Sequence, residues 1–429
     1  MLVSIITSVY NCEQYIEKMI NSIIAQTYTD WEMIIIDDAS TDSTWNILQS
    51  YSDKRIRCFR NEKNVGLTCN LNKALRETKG EYIARIDGDD IATERRLEIQ
   101  VKYLMEHKDV LLVGADMLTF GDYIELWSNP TDYNSIKMQM IFNVALYHPT
   151  YMFRRTIIDN YNLLYDERFR YAQDYCFQIK IAKVGLVGNI SIPLLRYRVH
   201  AKQIGNEHSF AQKKCADEVR NIILDYLGIE LNSNEKSIWN SFCRMDLDTE
   251  VDAEKLKKIC AKIVFSNAKN GWCEATLLEK YMKERIERYL ATFESSRSAI
   301  LLESKKQNER RISTLLLLLI KKRAYGYSII EYLNRHKYSK VVIYGFGILG
   351  EALFSELIAN EEINLSGIID KGRDRIGIPS GIVFYRPDEI IQGGETLIIT
   401  VADDYEKIRQ KYQSVFDNIL SVDELILNF

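Results

Sequence analysis

Apolar residues over the first ninety positions follow two rhythms. Short unbroken runs at 3–9, 33–36, 56–59 and 82–86 have the mark of strands buried on both faces. Between them the spacing turns helical. Ile16, Met19, Ile20, Ile23 and Ile24 fall at i, i+3, i+4, i+7 and i+8, so one stripe of a first helix is expected to face the core. Trp45, Ile47 and Leu48 belong to a second helix, and residues 67–76 to a third. Asn11 stands where the first helix would be capped, with Gln14 three residues on, as a capping box requires. Four strands alternating with three helices predict a parallel sheet covered on both sides.

The pattern continues with a helix over 95–106, a strand at 110–113 and a helix over 175–184 that turns Phe177, Ile181 and Val184 inward. Residues 211–335 read as helical and charge-rich, an insert or spacer whose role the pattern does not reveal. Character changes again near the end. A strand over 340–344 runs into Gly345-Phe346-Gly347-Ile348-Leu349-Gly350, then a helix to 358 and strands at 367–369 and 396–401. The expected architecture is α/β throughout: a mostly parallel sheet in 1–210, a helical region in 211–335, and a small α/β domain in 336–429.

Composition changes this picture little. At 429 residues, two or three cores are expected. The charge balance of 56 basic against 60 acidic residues, net −4, shows no basic stripe and excludes a nucleic-acid binder. Eight cysteines are scattered without a Cys-x-x-Cys pair, which argues against a zinc site or a disulfide framework and for reduced thiols. The first residues read as a strand and not as a signal peptide. The longest aliphatic run, 315–320, falls far short of the roughly 20 residues that span a bilayer. A cytoplasmic protein is expected, soluble or peripheral at the inner face of the cell membrane.

Candidate chemistry sits at the strand ends. In an open parallel sheet, ligands bind beyond the carboxyl ends of the strands. The first strand ends in Ser8-Val9-Tyr10-Asn11 and the second in Asp37-Asp38. The third leads to Asn61-Glu62-Lys63-Asn64, and the fourth to Asp87-Gly88-Asp89-Asp90. Three carboxylates in four residues repel one another unless a cation joins them. Oxygen ligands suit Mg²⁺ or Mn²⁺, ions that share their shell with substrate phosphates. No Gly-x-Gly-x-x-Gly follows the first strand, and no phosphate loop with Gly-Lys-Ser/Thr exists anywhere.

Several of these segments resemble the family 2 glycosyltransferases of the GT-A fold, a Rossmann-like architecture. They are Val3-Ser4-Ile5-Ile6-Thr7-Ser8-Val9-Tyr10-Asn11, Ile34-Ile35-Ile36-Asp37-Asp38-Ala39-Ser40-Thr41-Asp42 and Asn64-Val65-Gly66-Leu67. Gly80-Glu81-Tyr82-Ile83-Ala84-Arg85-Ile86-Asp87-Gly88-Asp89-Asp90 carries the family's Asp-x-Asp motif. His148-Pro149-Thr150, Ala172-Gln173-Asp174-Tyr175 and Tyr197-Arg198-Val199-His200 resemble a bacterial surface-polysaccharide branch, and the likeness covers about 1–205.

The resemblance implies residue roles. Asp38 with Asp37 would bond the uracil of a UDP-sugar, with Ser8, Tyr10, Lys63 and Asn64 around the base. Asp87 would face ribose or metal, and Asp89 would ligate Mn²⁺ or Mg²⁺. Asp174 would be the general base of an inverting transfer. Arg198 and His200 would approach the diphosphate and the metal from the far side. A nucleotide-sugar donor and a glycan or lipid-linked acceptor are implied as partners. Spacing alone also places Asp174 as the N-cap of the helix over 175–184. Gln173 departs from the Glu of many relatives, which bears on acceptor contacts.

The C-terminal Gly345, Gly347 and Gly350, with Asp370 twenty positions beyond Gly350, have the strand-turn-helix context of a nucleotide-binding turn. This unit resembles the half-Rossmann domains appended to sugar-modifying enzymes. It is read as a structural, regulatory or nucleotide-binding module. The alternative is a sugar-nucleotide oxidoreductase or epimerase. The run at 315–320, between Arg310-Arg311 and Lys321-Lys322-Arg323, reads as a buried helix or as a peripheral contact with anionic lipid.

Overall fold

The computed structural model describes residues 1–199, 209–246, 252–295, 303–345, 347–359, 363–370, 382–387, 396–400 and 405–428. His200 and Phe346 lie outside them. The chain divides into two compact units, 1–302 and 303–429.

The first unit opens with β1 (Val3–Val9), α1 (Ile16–Ile24), β2 (Trp31–Asp37), α2 (Thr44–Ser50), β3 (Ile56–Arg60), α3 (Leu67–Glu77) and β4 (Tyr82–Arg85). All seven residues of β2 are buried, as a strand covered on both faces requires. β5 (Ile91–Ala92), α4 (Arg96–Glu106), β6 (Val110–Gly121), β7 (Leu126–Trp127), α5 (Tyr133–Met140), β8 (Met152–Arg154), α6 (Thr156–Tyr161), α7 (Gln173–Val184) and β9 (Leu186–Val199) follow. The sheet runs β3-β2-β1-β4-β8-β6-β9-β5, with β7 paired to β6. β1 to β4 are mutually parallel, so their carboxyl ends share one edge. β8 enters antiparallel between β4 and β6, while β6 and β9 pair in parallel.

Two local expectations are corrected. Asn11 does not cap α1. It takes φ +52°, and its Oδ1 accepts from the Thr41 N–H at 2.9 Å, clamping the loop after β2. The helix begins only at Ile16, with Tyr15 at the N-cap position and no side-chain capping bond there. Ile24, expected inside, is 39% exposed.

The helical stretch after 210 is divided between the two units and does not form a separate region. α8 (Ser209–Tyr226), α9 (Ser233–Arg244), α10 (Ala253–Asn270) and α11 (Ala275–Ser295) share one core with the sheet and its helices. Phe142 packs against Trp239, Phe242 and Tyr281 at centroid distances of 5.6, 6.3 and 5.1 Å. The Arg220 Nε–H reaches the Phe142 carbonyl at 2.8 Å, and the Trp272 Nε1–H reaches that of Lys137 at 2.7 Å. Charged residues on the outer faces of these helices mask, in the sequence, how much apolar surface they bury.

The second unit comprises α12 (Glu303–Ala324), α13 (Ile329–Arg335), β10 (Lys340–Tyr344), α14 (Ile348–Ile358), β11 (Asn364–Ile369), β12 (Val383–Tyr385), β13 (Thr396–Ile399), α15 (Tyr405–Tyr412), β14 (Asn418–Ser421) and α16 (Val422–Asn428). Its sheet is parallel throughout, in the order β12-β11-β10-β13-β14. In α12, Leu315, Leu318 and Leu319 are buried while Leu317 and Ile320 are exposed. No helix among the described residues is long and apolar enough to cross a membrane.

If α8 to α11 complete the first core, Phe142→Ala costs the first unit about 3–5 kcal/mol. Urea unfolding measures this, and a chain ended at 210 is expected to show no cooperative transition.

Candidate active site

The carboxyl edge of β1 to β4 is braced by its own polar residues. Asp38 Oδ1 accepts from Asn61 Nδ2 at 2.8 Å and from the Val65 N–H at 2.9 Å, and Oδ2 accepts from the Gly66 N–H at 2.9 Å. Burial alone would raise the Asp38 pKa, but these bonds outweigh it and hold the carboxyl below its usual range. Asp38 thus fixes the loop that carries Lys63 and Asn64, both exposed. Asp37 is fully buried, ion-paired to Arg60 Nε at 3.1 Å, with the Ser40 N–H donating to it at 3.3 Å. Ser8 Oγ accepts from Asn70 Nδ2 at 3.0 Å, while Tyr10 stands 47% exposed at the rim. Beside them a recess opens between Asn64, Gly66 and Cys69 on one side and Glu167 and Arg170 on the other.

The loop after β4 is pressed against β1. A Cβ on Gly88 would lie 2.7 Å from Val9 Cγ1, so only glycine lets the acidic turn approach. Asp87 pairs with the guanidinium of Arg85, which is 3% exposed. Asp90 is fully buried and accepts from the Arg198 N–H at 2.9 Å, and its Oδ2 has no hydrogen-bond partner. The Arg198 Nε–H reaches the Asp89 carbonyl at 2.9 Å, with the guanidinium between the rings of Tyr15 and Phe120 at 4.5 and 4.4 Å. Burial and mutual repulsion raise the pKa values of Asp87 and Asp90, even with Arg85 beside them.

Asp174 lies in the first turn of α7 and is not its N-cap. The helix starts one residue earlier, after Ala172 at φ +57°. The approach to this turn is stapled to α3. Asn72 Nδ2 donates to the Tyr165 carbonyl and Thr68 Oγ1 to the Phe169 carbonyl, both at 2.9 Å. Burial raises the Asp174 pKa despite the Tyr175 N–H and the nearby Arg85 charge. A helix N-terminus would by itself lower it, so desolvation wins here. Gln173 is buried, and its Oε1 has no hydrogen-bond partner. His148 is buried and held neutral by desolvation and by Arg85, with Nε2 2.9 Å from Tyr165 Oη.

The strand ends thus bring Ser8, Tyr10, Asp37, Asp38, Asp87 and Asp89 to one sheet edge, with Arg198 latched to the acidic loop. The sequence names Asp90 and Asn61 only within their strand-end clusters, and it gives no role to Arg85 or Asn70. A signal for Arg85 existed, because an arginine inside a run buried on both faces must find counter-charge. The residues fit a hard cation. Asp87, Asp89 and Asp90 offer only oxygen, and one buried carboxylate oxygen lacks a partner. Among the described residues, no three acidic, His or Cys side chains are already gathered as a metal shell.

In the second unit, Gly345 (φ +91°), Gly347, Gly350 and Asp370 also meet at one edge. The Gly345 N–H reaches the Ile369 carbonyl at 2.8 Å, next to Asp370. A Cβ on Gly350 would lie 2.2 Å from the Gly345 carbonyl oxygen, so its glycine is a packing requirement of the turn.

Comparison with known proteins agrees with the first unit. Residues 4–161 match the model of glycosyl transferase family 2. An uncharacterized glycosyltransferase of Haemophilus influenzae is 32% identical over 247 residues, covering 54% of this chain and 76% of that protein. The Escherichia coli UDP-Glc:alpha-D-GlcNAc-diphosphoundecaprenol beta-1,3-glucosyltransferase WfaP is 32% identical over 206 residues, covering 47% of this chain and 79% of WfaP. Among solved structures, S. aureus TarS in complex with UDP-GlcNAc aligns at 20% identity and a TM-score of 0.48, over 69% of this chain and 92% of that one, too loosely to carry an argument. With its strand-end motifs in place and relatives matched over three quarters of their length, the chain belongs to glycosyl transferase family 2 and is a glycosyltransferase.

Proposed function

We propose that the first unit moves a sugar from a nucleotide donor, a UDP-sugar, onto a glycan or lipid-linked acceptor with inversion, in the assembly of a surface polysaccharide. The observation that carries this reading is the acidic turn at the carboxyl edge of a parallel sheet, where Asp87 pairs with the buried Arg85 and where Asp90 and Asp174 lie within its electrostatic reach. The activity of WfaP, with a UDP-glucose donor and an undecaprenol diphosphate-linked acceptor, supports the donor and acceptor classes.

In this reading Asp174 is the base. An acceptor hydroxyl attacks the anomeric carbon as its proton passes to an Asp174 oxygen. The bond from that carbon to the diphosphate oxygen breaks, and nucleoside diphosphate leaves with the electron pair. One displacement inverts the centre. The raised pKa of Asp174, caused by its burial, makes it a stronger proton acceptor than an ordinary aspartate. Mn²⁺ or Mg²⁺ held by Asp89 with Asp87, and by His200, would supply positive charge to the departing diphosphate. Ser8, Tyr10, Asp38, Lys63 and Asn64 would surround the base. Asp37 would act from beneath through Arg60 and Ser40, since its own carboxylate is buried. Arg198, by fixing the Asp89 carbonyl, would set the acidic loop against the diphosphate.

The enzyme would work at the inner face of the cell membrane. The exposed Leu317 and Ile320 beside Lys321 and Arg323 favour peripheral contact with anionic lipid. Gly345, Gly347, Gly350 and Asp370 would make the second unit a nucleotide-responsive module.

Nucleotide release from a panel of UDP-sugars tests the donor and metal. Release from one or two donors is expected, lost with EDTA and in Asp89→Asn; metal-independent release would contradict the reading. Asp174→Asn is expected to lower turnover by about 10²–10⁴-fold. Because the base works only when deprotonated, wild-type activity should fall as pH drops through a value above the ordinary aspartate range. A flat profile in acid would count against Asp174.

A further inference from the structure

Three aromatic rings near the acidic turn stand in a row that no step of the reaction above uses. Trp127 on β7 opposes Met117 on β6, and Tyr197 on β9 opposes Thr119 two residues further along, so both rings rise from one face of the sheet. Their centroids are 5.4 Å apart, and the ring of Tyr147, from the segment after α5, lies 6.0 Å from that of Trp127. All three residues are half-buried. The row is fixed at its root. Ser128 Oγ donates to Oδ2 of the fully buried Asp116 at 2.9 Å, and the Trp127 Nε1–H is already met by Glu125 Oε2 at 3.1 Å.

The row adjoins both halves of the chemistry. Tyr197 precedes Arg198, whose backbone N–H donates to Asp90 and whose Nε–H donates to the Asp89 carbonyl. Burial and the charges of Asp87, Asp90 and Asp89 push the Tyr197 hydroxyl up from the usual phenol range. Tyr147 follows Leu146, whose carbonyl lies 3.5 Å from Tyr151 Oη, and that same hydroxyl lies 3.4 Å from the Asp174 carbonyl. In the sheet order, β6 and β9 stand on one side of β4, while the strand ends assigned to the nucleotide belong to β1, β2 and β3 on the other. The acidic turn after β4 falls between the two.

We propose that Trp127, Tyr147 and Tyr197 form the acceptor subsite, where a pyranose ring of the acceptor stacks its C–H face on the row and brings one hydroxyl to Asp174. The inference rests on the transferase reading and assigns the side of the site that reading leaves open. A sugar ring has an apolar C–H face and a polar rim. A row of rings whose indole N–H is already satisfied matches the face, and the tyrosine hydroxyls and the exposed Glu125 match the rim.

The test uses the full chain and the UDP-sugars that the wild type hydrolyses. Octyl glycosides of the common hexoses, 6-deoxyhexoses and N-acetylhexosamines, in both anomers, serve as acceptor probes. Stimulated nucleotide release gives acceptor KM and kcat, with donor KM measured beside them, and at least one glycoside is expected to stimulate the wild type. Trp127→Ala should raise acceptor KM about tenfold and move donor KM less than about twofold. Trp127→Phe keeps a ring face and should stay within about threefold of wild type, while Trp127→Leu keeps apolar bulk without a ring and should resemble Trp127→Ala. Unchanged acceptor KM in Trp127→Ala overturns the proposal. So do donor and acceptor constants that rise together, which mark a role in the fold alone. If Trp127→Ala does not fold, Trp127→Phe and Trp127→Leu decide, and equal acceptor KM in the two overturns the proposal. A panel in which no glycoside stimulates release also overturns it. A wild type that hydrolyses no UDP-sugar overturns the transferase reading itself, and the inference with it.

Discussion

Three carboxylates gather near the buried guanidinium of Arg85 at the end of β4, and much of the first unit is arranged to make that tolerable. Asp87, Asp90 and Asp174 repel one another, and burial raises the cost of each charge. Arg85 is the fixed cation among them. Around this group the protein supplies neutral walls: His148 held unprotonated, Tyr165 bonded to it, and Tyr151 packed edge-on against the imidazole. In the proposed reaction this centre would draw in a cation and let one carboxylate act as a base.

Rigidity comes from the same polar residues that a substrate would meet. Asp38 spends its lone pairs on the loop that presents Lys63 and Asn64. Asp90 and Arg198 tie the acidic turn to β9. Asn72 and Thr68 on α3 hold the approach to Asp174. Each strand end is therefore preorganised by a neighbouring element, and the site needs little rearrangement to receive a charged ligand. The helices after residue 209 contribute from behind, where Trp239 packs on Phe142 just past α5 and Trp272 bonds the Lys137 carbonyl within α5.

Much of this was legible in the residues because parallel strands leave long apolar runs and deliver polar residues at one edge. The four strand ends, the acidic turn and the strand-turn-helix of the second unit follow from that rule. What stayed hidden depends on contacts distant in sequence. Asn11 looks like a helix cap by spacing, yet its left-handed backbone turns it toward Thr41. Asp174 looks like a cap because Gln173 and Asp174 both suit a helix start, and the positive φ of Ala172 decides between them. Asp37 and Asp38 are adjacent and chemically identical, but β2 points one into the protein and the other toward the loop after β3. The helices between α8 and α11 read as a spacer because their apolar residues are diluted by charge. Arg85 lies in the strand that leads into the acidic turn, and its pairing with Asp87 is visible only once that strand is placed in the sheet.

A crystal structure of the chain grown with Mn²⁺ and UDP would test the central claim most directly. The account predicts Mn²⁺ on Asp89, with the diphosphate beside it and the uracil among Tyr10, Asp38 and the Lys63-Asn64 loop. UDP found instead at the Gly345–Gly350 turn, with the acidic loop after β4 free of metal, would contradict it.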